Sequence, residues 1–266
     1  AKLAHPNIVS VTDSFDFDGC PVLVMEYVDG PSLHNFLANT RPSLVQVEGL
    51  LRGILSALKY AHSSGLVHRD LKPANILLST VSGELHPKIT DFGIVKVLDS
   101  FKEYRPSSHT KAGVTLGTLC YMSPEQMANS RSVTVASDMY SLGCILYEMV
   151  CGQRAFDGPN SFAVQAKVEE GIYEDPQVVA PGWPQRFYDV IKGALEPDPA
   201  QRISSCEEFE RRLFGEMAVH SPRSMLPTLI LEPDAIRKGG SKGKDKGDVK
   251  VSDGEHPVAV RTKLWV

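Results

Sequence analysis

Residues 68–75 read His-Arg-Asp-Leu-Lys-Pro-Ala-Asn, and a second short motif, Asp91-Phe92-Gly93, follows them along the chain. The first stretch combines an acidic side chain, Asp70, with an amide, Asn75, and the second adds another carboxylate. Carboxylate and amide oxygens are the hard ligands that Mg²⁺ prefers, usually together with phosphate oxygens and water. The two motifs therefore predict a magnesium site formed by residues that are distant in sequence.

The flanking sequence predicts a mixed α+β fold. Apolar positions spaced by three and four predict an amphipathic helix over 43–64, and a stretch that is apolar on nearly all sides predicts a buried helix over 136–150. β-branched and aromatic runs predict short strands, with a hairpin loop over 79–87 and an irregular segment over 98–124. The predicted strands are 8–17, 21–27, 76–78 and 88–90; the shorter predicted helices are 33–38, 161–170, 184–195 and 204–214.

The composition excludes several classes of protein. The chain has 266 residues, is 42% hydrophobic and 23% charged, and carries a formal net charge of −4, so it lacks the basic field of a nucleic-acid binder. Its longest apolar stretch, 139–151, is too short to cross a bilayer. Five cysteines without a Cys-x-x-Cys pair argue against a disulfide scaffold or a zinc site and favour a reducing, cytoplasmic compartment.

Further motifs follow in a fixed order, namely Gly117-Thr118, Ser123-Pro124-Glu125, Asp138 and Arg202. Together with the first two motifs, they resemble the C-terminal lobe of a protein kinase. The lysine at position 72 resembles the catalytic loop of the serine/threonine kinases rather than that of the tyrosine kinases. The Ser-Pro-Glu variant is similar to that of many bacterial serine/threonine kinases. The resemblance covers roughly residues 3–214.

The resemblance implies a fold and a division of the chain. The expected fold is α+β and protein-kinase-like, with a mainly helical C-terminal lobe and the last strands of a truncated N-terminal β lobe. Residues 1–28 would be the remnant of the small lobe and the hinge, and 29–214 the C-terminal lobe. Residues 215–266 would be a flexible tail, because 237–250 is rich in Gly and Lys.

The implied activity is transfer of the γ-phosphate of Mg-ATP to Ser or Thr hydroxyls of proteins. Asp70 would accept the proton of the substrate hydroxyl, and Lys72 would offer a cation to the transferring group. Asn75 and Asp91 would hold the metal. Thr118 would belong to the substrate-side architecture.

The resemblance also implies an adenine site. Met25 would be the gatekeeper, the backbones of Glu26 and Val28 would bond adenine, and Leu77 would form the floor of the pocket. An ordinary apolar strand and a core leucine are equally consistent with these residues.

Four more residues have implied structural roles. Glu125 and Arg202 would form a buried ion pair at the end of the activation segment, and Asp138 would brace the catalytic loop from below. His68 and Phe92 are expected to be packing residues rather than catalytic ones.

Regulation by phosphorylation is a further expectation. Arg69 would be a buried-facing cation that lacks a partner until phosphate arrives on the segment between Gly93 and Ser123. Thr110 and Thr115 are the first candidates for autophosphorylation, with Ser107 and Ser108 behind them. Cys120 is expected to be a quiet thiol rather than an oxidant sensor.

No Gly-rich loop, strand-borne Lys or helix-borne Glu of this family precedes residue 70. The chain is therefore expected to start after the first half of the small lobe. The alternative function is a pseudokinase-like binding scaffold that has no activity as the isolated chain. Intact Asp70, Lys72, Asn75 and Asp91 favour the enzyme, because a scaffold needs none of them.

Residues 1–266 alone should bind nucleotide weakly and transfer little phosphate, because no group clamps the α- and β-phosphates. A titration with fluorescent ATP measures the affinity. Tight, Mg²⁺-dependent binding would contradict the expectation.

Overall fold

The computed structural model describes residues 3–18, 20–92, 116–129 and 132–215, which fold into small antiparallel hairpins and a larger set of helices. The strands are β1 (Val11–Phe17), β2 (Cys20–Met25), β3 (Ile76–Val81) and β4 (Glu84–Ile89). The helices are α1 (Leu33–Asn39), α2 (Leu44–Ser63), α3 (Leu116–Leu119), α4 (Pro124–Ala128), α5 (Val135–Cys151), α6 (Ser161–Glu170), α7 (Pro176–Val179), α8 (Gln185–Ala194) and α9 (Cys206–Phe214).

Two helices form the centre of the core. Helix α2 begins with a capping box between Ser43 and Gln46, which satisfies backbone donors at its first turn. Its apolar stripe is buried, and Ile54 and Leu58 are fully inaccessible to solvent. Helix α5 is buried around most of its circumference, as its uniformly apolar sequence predicts.

Helix α2 approaches the hairpin β3–β4 closely at Gly53. A Cβ atom at this position would lie 2.6 Å from Cγ of Pro87 and 2.9 Å from Nδ2 of Asn7. Glycine therefore permits close packing of α2 against β4, and any side chain at position 53 would force the two elements apart.

The predicted hairpin is present, but its loop is much shorter than 79–87, because most of these residues belong to the strands β3 and β4. The strands pair from Ile76 opposite Ile89 to Val81 opposite Glu84, and the turn is only Ser82 and Gly83, whose φ angles are 53° and 87°. Positive φ at both central residues suits the tight turns that match strand twist. Pro87, which weakened the strand signal, is buried within β4.

The register of this hairpin positions the two motifs. Asn75 lies immediately before β3 and Thr90 immediately after β4, and the Thr90 amide donates to the Asn75 carbonyl at 2.9 Å. Asp91 is therefore held beside the end of the catalytic loop, 68–75.

The hairpin β1–β2 joins the rest through a short bridge. Val9 donates to the Ile89 carbonyl at 2.9 Å, and Ile89 donates to the Asn7 carbonyl at 2.8 Å. Strand β1 therefore begins at Val11 rather than at residue 8, since residues 8 and 9 are used in this bridge to β4.

The other helices and strands that the sequence predicted begin and end within about two residues of the predicted positions. Three short helices were not predicted: α3, which lies inside the segment 98–124 that was expected to be irregular, and also α4 and α7. Of the predicted tail, 215–266, only Gly215 is among the described residues. Within the described ranges, none of the helices combines the length and the apolar character needed to cross a bilayer.

The close approach at Gly53 generates a stability prediction. Gly53→Ala should lower the free energy of unfolding by about 1–3 kcal/mol, because the added methyl overlaps Pro87. Gly49→Ala in the same helix is the matched control, since nothing lies within 4 Å of its Cβ position. The control should stabilise by about 0.5–1 kcal/mol through helix propensity. Urea unfolding measures both, and equal effects would contradict the packing argument.

Candidate active site

A buried carboxylate accepts hydrogen bonds from the backbone of the catalytic loop. Asp138, in the first turn of α5, is 1% exposed, and its Oδ2 and Oδ1 accept from the amides of His68 and Arg69 at 2.9 and 3.0 Å. Arg69 has a φ of 71°, a conformation that is strained for a residue with a side chain. The Gln126 side chain also donates to the Arg69 carbonyl. These bonds hold the strained turn that presents Asp70.

The His68 ring connects the loop to the end of β4. Its Nδ1 accepts from the Asp70 amide at 3.2 Å, so Nε2 must bear the proton that it donates to the Thr90 carbonyl at 2.9 Å. The residue is 4% exposed, and Phe92 packs edge-on against the ring at 4.7 Å. As predicted, His68 and Phe92 are packing residues.

Polar side chains converge around Asp70. Lys72 Nζ donates to both carboxylate oxygens of Asp70, at 3.0 and 2.8 Å, and to Thr118 Oγ1 at 3.2 Å. Asn75 Nδ2 donates to the Asp70 carbonyl at 2.8 Å and to its Oδ2 at 3.1 Å. The Asp70 side chain remains 48% exposed, so it is fixed by its neighbours and open to solvent.

Asp91 lies close enough to this group to be affected by its charges. Burial raises the pKa of Asp91, and the negative charge of Asp70 raises that pKa further. His68, a hydrogen bond from Thr90 and the charge of Lys72 act in the opposite direction. Asp70, Asn75 and Asp91 thus share one region at the end of the β3–β4 hairpin.

The donor set fits Mg²⁺ better than a transition metal. Both amide hydrogen bonds of Asn75 come from Nδ2, so Oδ1 is the atom that can offer lone pairs to a cation. Among the described residues there is no group of three or more His, Cys, Asp or Glu side chains that could hold a metal ion. One carboxylate and one amide oxygen are typical of a Mg²⁺ that completes its shell with phosphate oxygens and water.

Comparisons with known proteins agree with this geometry. The profile described as "Protein kinase domain" matches residues 1–214. The chain belongs to the protein kinase family.

Bacterial serine/threonine kinases are among the curated proteins that this chain resembles. A probable serine/threonine-protein kinase PknB of Lactococcus lactis is 39% identical over 79% of this chain and 32% of its own length. Serine/threonine-protein kinase PknA of Mycobacterium tuberculosis is 40% identical over 84% of this chain and 50% of its own length. The chain thus spans about a third to a half of these curated relatives.

A solved structure supports the same fold. The crystal structure of Rad53 1-466 in complex with AMP-PNP superposes with a TM-score of 0.63 at 30% identity. The match covers 78% of this chain and 50% of that one.

The residues expected to bind adenine lie at the end of β2 and on β3. The Glu26 amide donates to the Ser10 carbonyl at 3.0 Å, so its own carbonyl is the backbone group that can face a base. Met25 Sδ accepts from Thr90 Oγ1 at 4.0 Å, which places Met25 next to the segment that ends in Asp91. Val28 and Leu77 are both half-buried.

The predicted ion pair between Glu125 and Arg202 is present. Two parallel bonds of 2.8 and 3.0 Å join them, and the Arg202 side chain is completely buried. Burial by itself raises the pKa of Glu125, but hydrogen bonds from Arg202 and Ser137 outweigh burial and lower that pKa from 4.5 to about 2. The pair joins the start of α4 to the segment before α9.

One regulatory expectation needs correction. Arg69 was expected to face the interior, but it is exposed. Within the described residues its guanidinium makes no hydrogen bond or ion pair, because the left-handed turn directs its backbone, rather than its side chain, towards Asp138. The candidate phosphorylation sites Thr110, Thr115, Ser107 and Ser108 lie outside the described residues. Cys120 is 1% exposed and burial raises its pKa, as a quiet thiol requires.

Sequence reasoning missed several supporting side chains. Glu26 Oε1 accepts from Lys88 Nζ at 2.8 Å and from the Ser10 amide at 3.1 Å. His62 contacts Asp138 Oδ2 at 2.7 Å. A signal for His62 was available, since it continues the apolar stripe of α2 four residues after Leu58.

The buried ion pair generates a prediction. Glu125→Gln should lower the free energy of unfolding at pH 7 by about 3–5 kcal/mol, because it leaves the Arg202 charge buried without an anion. The wild type should lose stability as pH falls from 4.5 towards 2, since the folded-state pKa of Glu125 is lowered. The variant lacks this carboxylate, so its free energy of unfolding should depend less on pH in that range.

Urea unfolding at several pH values measures both effects. Glu208→Gln is the control, because Glu208 pairs with Arg212 at the surface and should change stability by about 0.5 kcal/mol or less. Equal effects of the two substitutions would contradict a structural role for the buried pair.

Proposed function

We propose that residues 1–214 contain the phosphoryl-transfer site of a protein serine/threonine kinase, which moves the γ-phosphate of Mg-ATP to Ser or Thr hydroxyls of proteins. The observation that carries the proposal is the convergence of Asp70, Lys72, Asn75 and Asp91 at one end of the β3–β4 hairpin. Phosphoryl transfer requires mainly positioning and charge neutralisation, which is what these four side chains offer.

Each residue has a role that its contacts support. Asp70, exposed and held by Lys72 and Asn75, orients the substrate hydroxyl and accepts its proton. Lys72 stabilises negative charge on the transferring group, while its bond to Thr118 ties the substrate side to the loop. Asn75 Oδ1 and Asp91 hold Mg²⁺, which when bound neutralises charge on the phosphates.

The nucleotide base is assigned to the end of β2. The carbonyl of Glu26 and the backbone of Val28 bond adenine, Met25 closes the back of the pocket and Leu77 forms its floor. Support comes from the contact between Met25 and Thr90, which places this strand end beside the segment leading to Asp91.

The division of the chain remains part of the proposal. Residues 1–28 contribute the last strands of the small lobe and the hinge, and 29–214 form the C-terminal lobe; the basic tail expected over 215–266 lies, except for Gly215, outside the described residues. Autophosphorylation at Thr110 or Thr115, which also lie outside them, would supply an anion of the kind that pairs with an exposed arginine such as Arg69. A reducing, cytoplasmic setting suits the cysteines of the described residues, which are thiols.

A binding scaffold is the second candidate function. A scaffold requires neither Asp70 nor the bonds that orient it. The organised polar cluster therefore favours the enzyme.

Two substitutions test the assignment in the full-length protein that contains this chain. Asp70→Asn and Asp91→Ala should each reduce transfer of radiolabelled phosphate from ATP to a protein substrate by about 10²-fold or more, because they remove the base and a metal ligand. Asp175→Asn is the control, since Asp175 is an exposed cap of α7 and should leave transfer unchanged. Strong transfer by either of the first two variants would refute the assignment.

A further inference from the structure

Three polar side chains from separate helices form a buried hydrogen-bonded chain beneath the catalytic loop. Cys206, the first residue of α9, has its Sγ 3.5 Å from His62 Nδ1, and His62 Nε2 lies 2.7 Å from Asp138 Oδ2. Cys206 is 2% exposed, and the side chains of His62 and Asp138 are 9% and 1% exposed. These three side chains therefore lie in the interior, where a donor or acceptor without a partner lowers the stability of the fold.

Burial assigns the protons along this chain. Burial is the largest of the causes that together raise the pKa of Cys206 to about 12, and the carboxylates of Glu207 and Asp138 act in the same direction. The thiol therefore keeps its proton and donates it to His62 Nδ1. In neutral imidazole one nitrogen donates while the other accepts, so His62 Nε2 carries the hydrogen and donates it to Asp138.

This order of donors determines how Asp138 is held. Its Oδ2 accepts from His62 as well as from the His68 amide, and its Oδ1 accepts from the Arg69 amide. The bond from His62 fixes the plane of the carboxylate, so both oxygens stay aligned with the two loop amides. The strained residue Arg69 then presents Asp70 in one orientation.

We propose that His62 and Cys206 are positioning residues for phosphoryl transfer, with the Cys206 thiol selecting the His62 tautomer that orients Asp138 under the catalytic loop. The inference rests on the proposed catalytic role of Asp70. Loss of the hydrogen bonds from Cys206 through His62 to Asp138 leaves the nucleotide-binding residues in place and loosens only the catalytic loop. It therefore lowers kcat and leaves KM for ATP nearly unchanged. A displacement of a reacting group by about 1 Å can cost about 100-fold in rate.

Two substitutions at His62 separate positioning from packing. The side-chain amide nitrogen of Gln reaches approximately the place of Nε2 and can donate to Asp138, whereas that of Asn ends near Nδ1 and cannot. In the full-length protein, His62→Asn should lower kcat by about 10- to 100-fold, while His62→Gln should retain kcat within about threefold. KM for ATP should stay within about twofold in both variants.

Substitutions of cysteine supply the second comparison. Cys206→Ser keeps a hydrogen donor for Nδ1 and should retain kcat, whereas Cys206→Ala should lower it by about three- to tenfold. Cys144→Ala removes another buried thiol, from the helix that bears Asp138, and should leave kcat unchanged.

Steady-state phosphate transfer and thermal unfolding are measured on every variant. Equal kcat for His62→Asn and His62→Gln, or a loss in Cys206→Ala that Cys144→Ala shares, would overturn the inference and indicate packing alone. Should Asp70→Asn be inactive while the His62 variants keep wild-type kcat, the positioning role fails and the proposed function stands. Should Asp70→Asn itself be active, the proposed function fails.

Discussion

The buried carboxylate of Asp138 is the interaction on which the site depends. The loop 68–75 contains a left-handed residue, Arg69, that would relax if nothing held its amide. Asp138 accepts that amide and the preceding one, and it does so from α5, the most deeply buried helix of the described core. The loop is thereby fixed to the interior of the protein, and catalysis by positioning requires such rigidity.

A second constraint is the register of the β3–β4 hairpin. Its two ends carry Asn75 and Asp91, and the hydrogen bond between Thr90 and Asn75 fixes their separation. His68 joins the same strand end to Asp70 through both nitrogens of its ring. These bonds thus align Asn75 and Asp91, the proposed metal ligands, with Asp70, the proposed base, and packing against α2 holds the hairpin in place.

The sequence was most informative where the signal is local and periodic. Helix α2 was located to within a residue because an apolar face repeats at helical spacing, and α5 was located equally well because it is apolar on nearly all sides. The loop of the hairpin β3–β4 was predicted to be too long, over 79–87, since Pro87 and the polar residues around Ser82 are typical of loops, while register and burial are decided by contacts with α2. The ordered motifs indicated the family and the ion pair between Glu125 and Arg202, which the structure shows.

Other long-range side-chain partners were not indicated by the motifs. His62, Cys206 and Asp138 lie far apart in the chain, and no spacing rule relates them. The exposure of Arg69 depends on a single backbone angle, and the family resemblance suggested the opposite. Such details follow from tertiary packing, which one sequence does not encode in a readable pattern.

A crystal structure of the full-length protein with Mg²⁺ and a non-hydrolysable ATP analogue tests the central claim most directly. The account predicts a metal ion about 2.0–2.1 Å from oxygens of Asn75 and Asp91, with the terminal phosphate facing Asp70. Nucleotide and metal bound elsewhere, or Asp91 directed away from them, would contradict it.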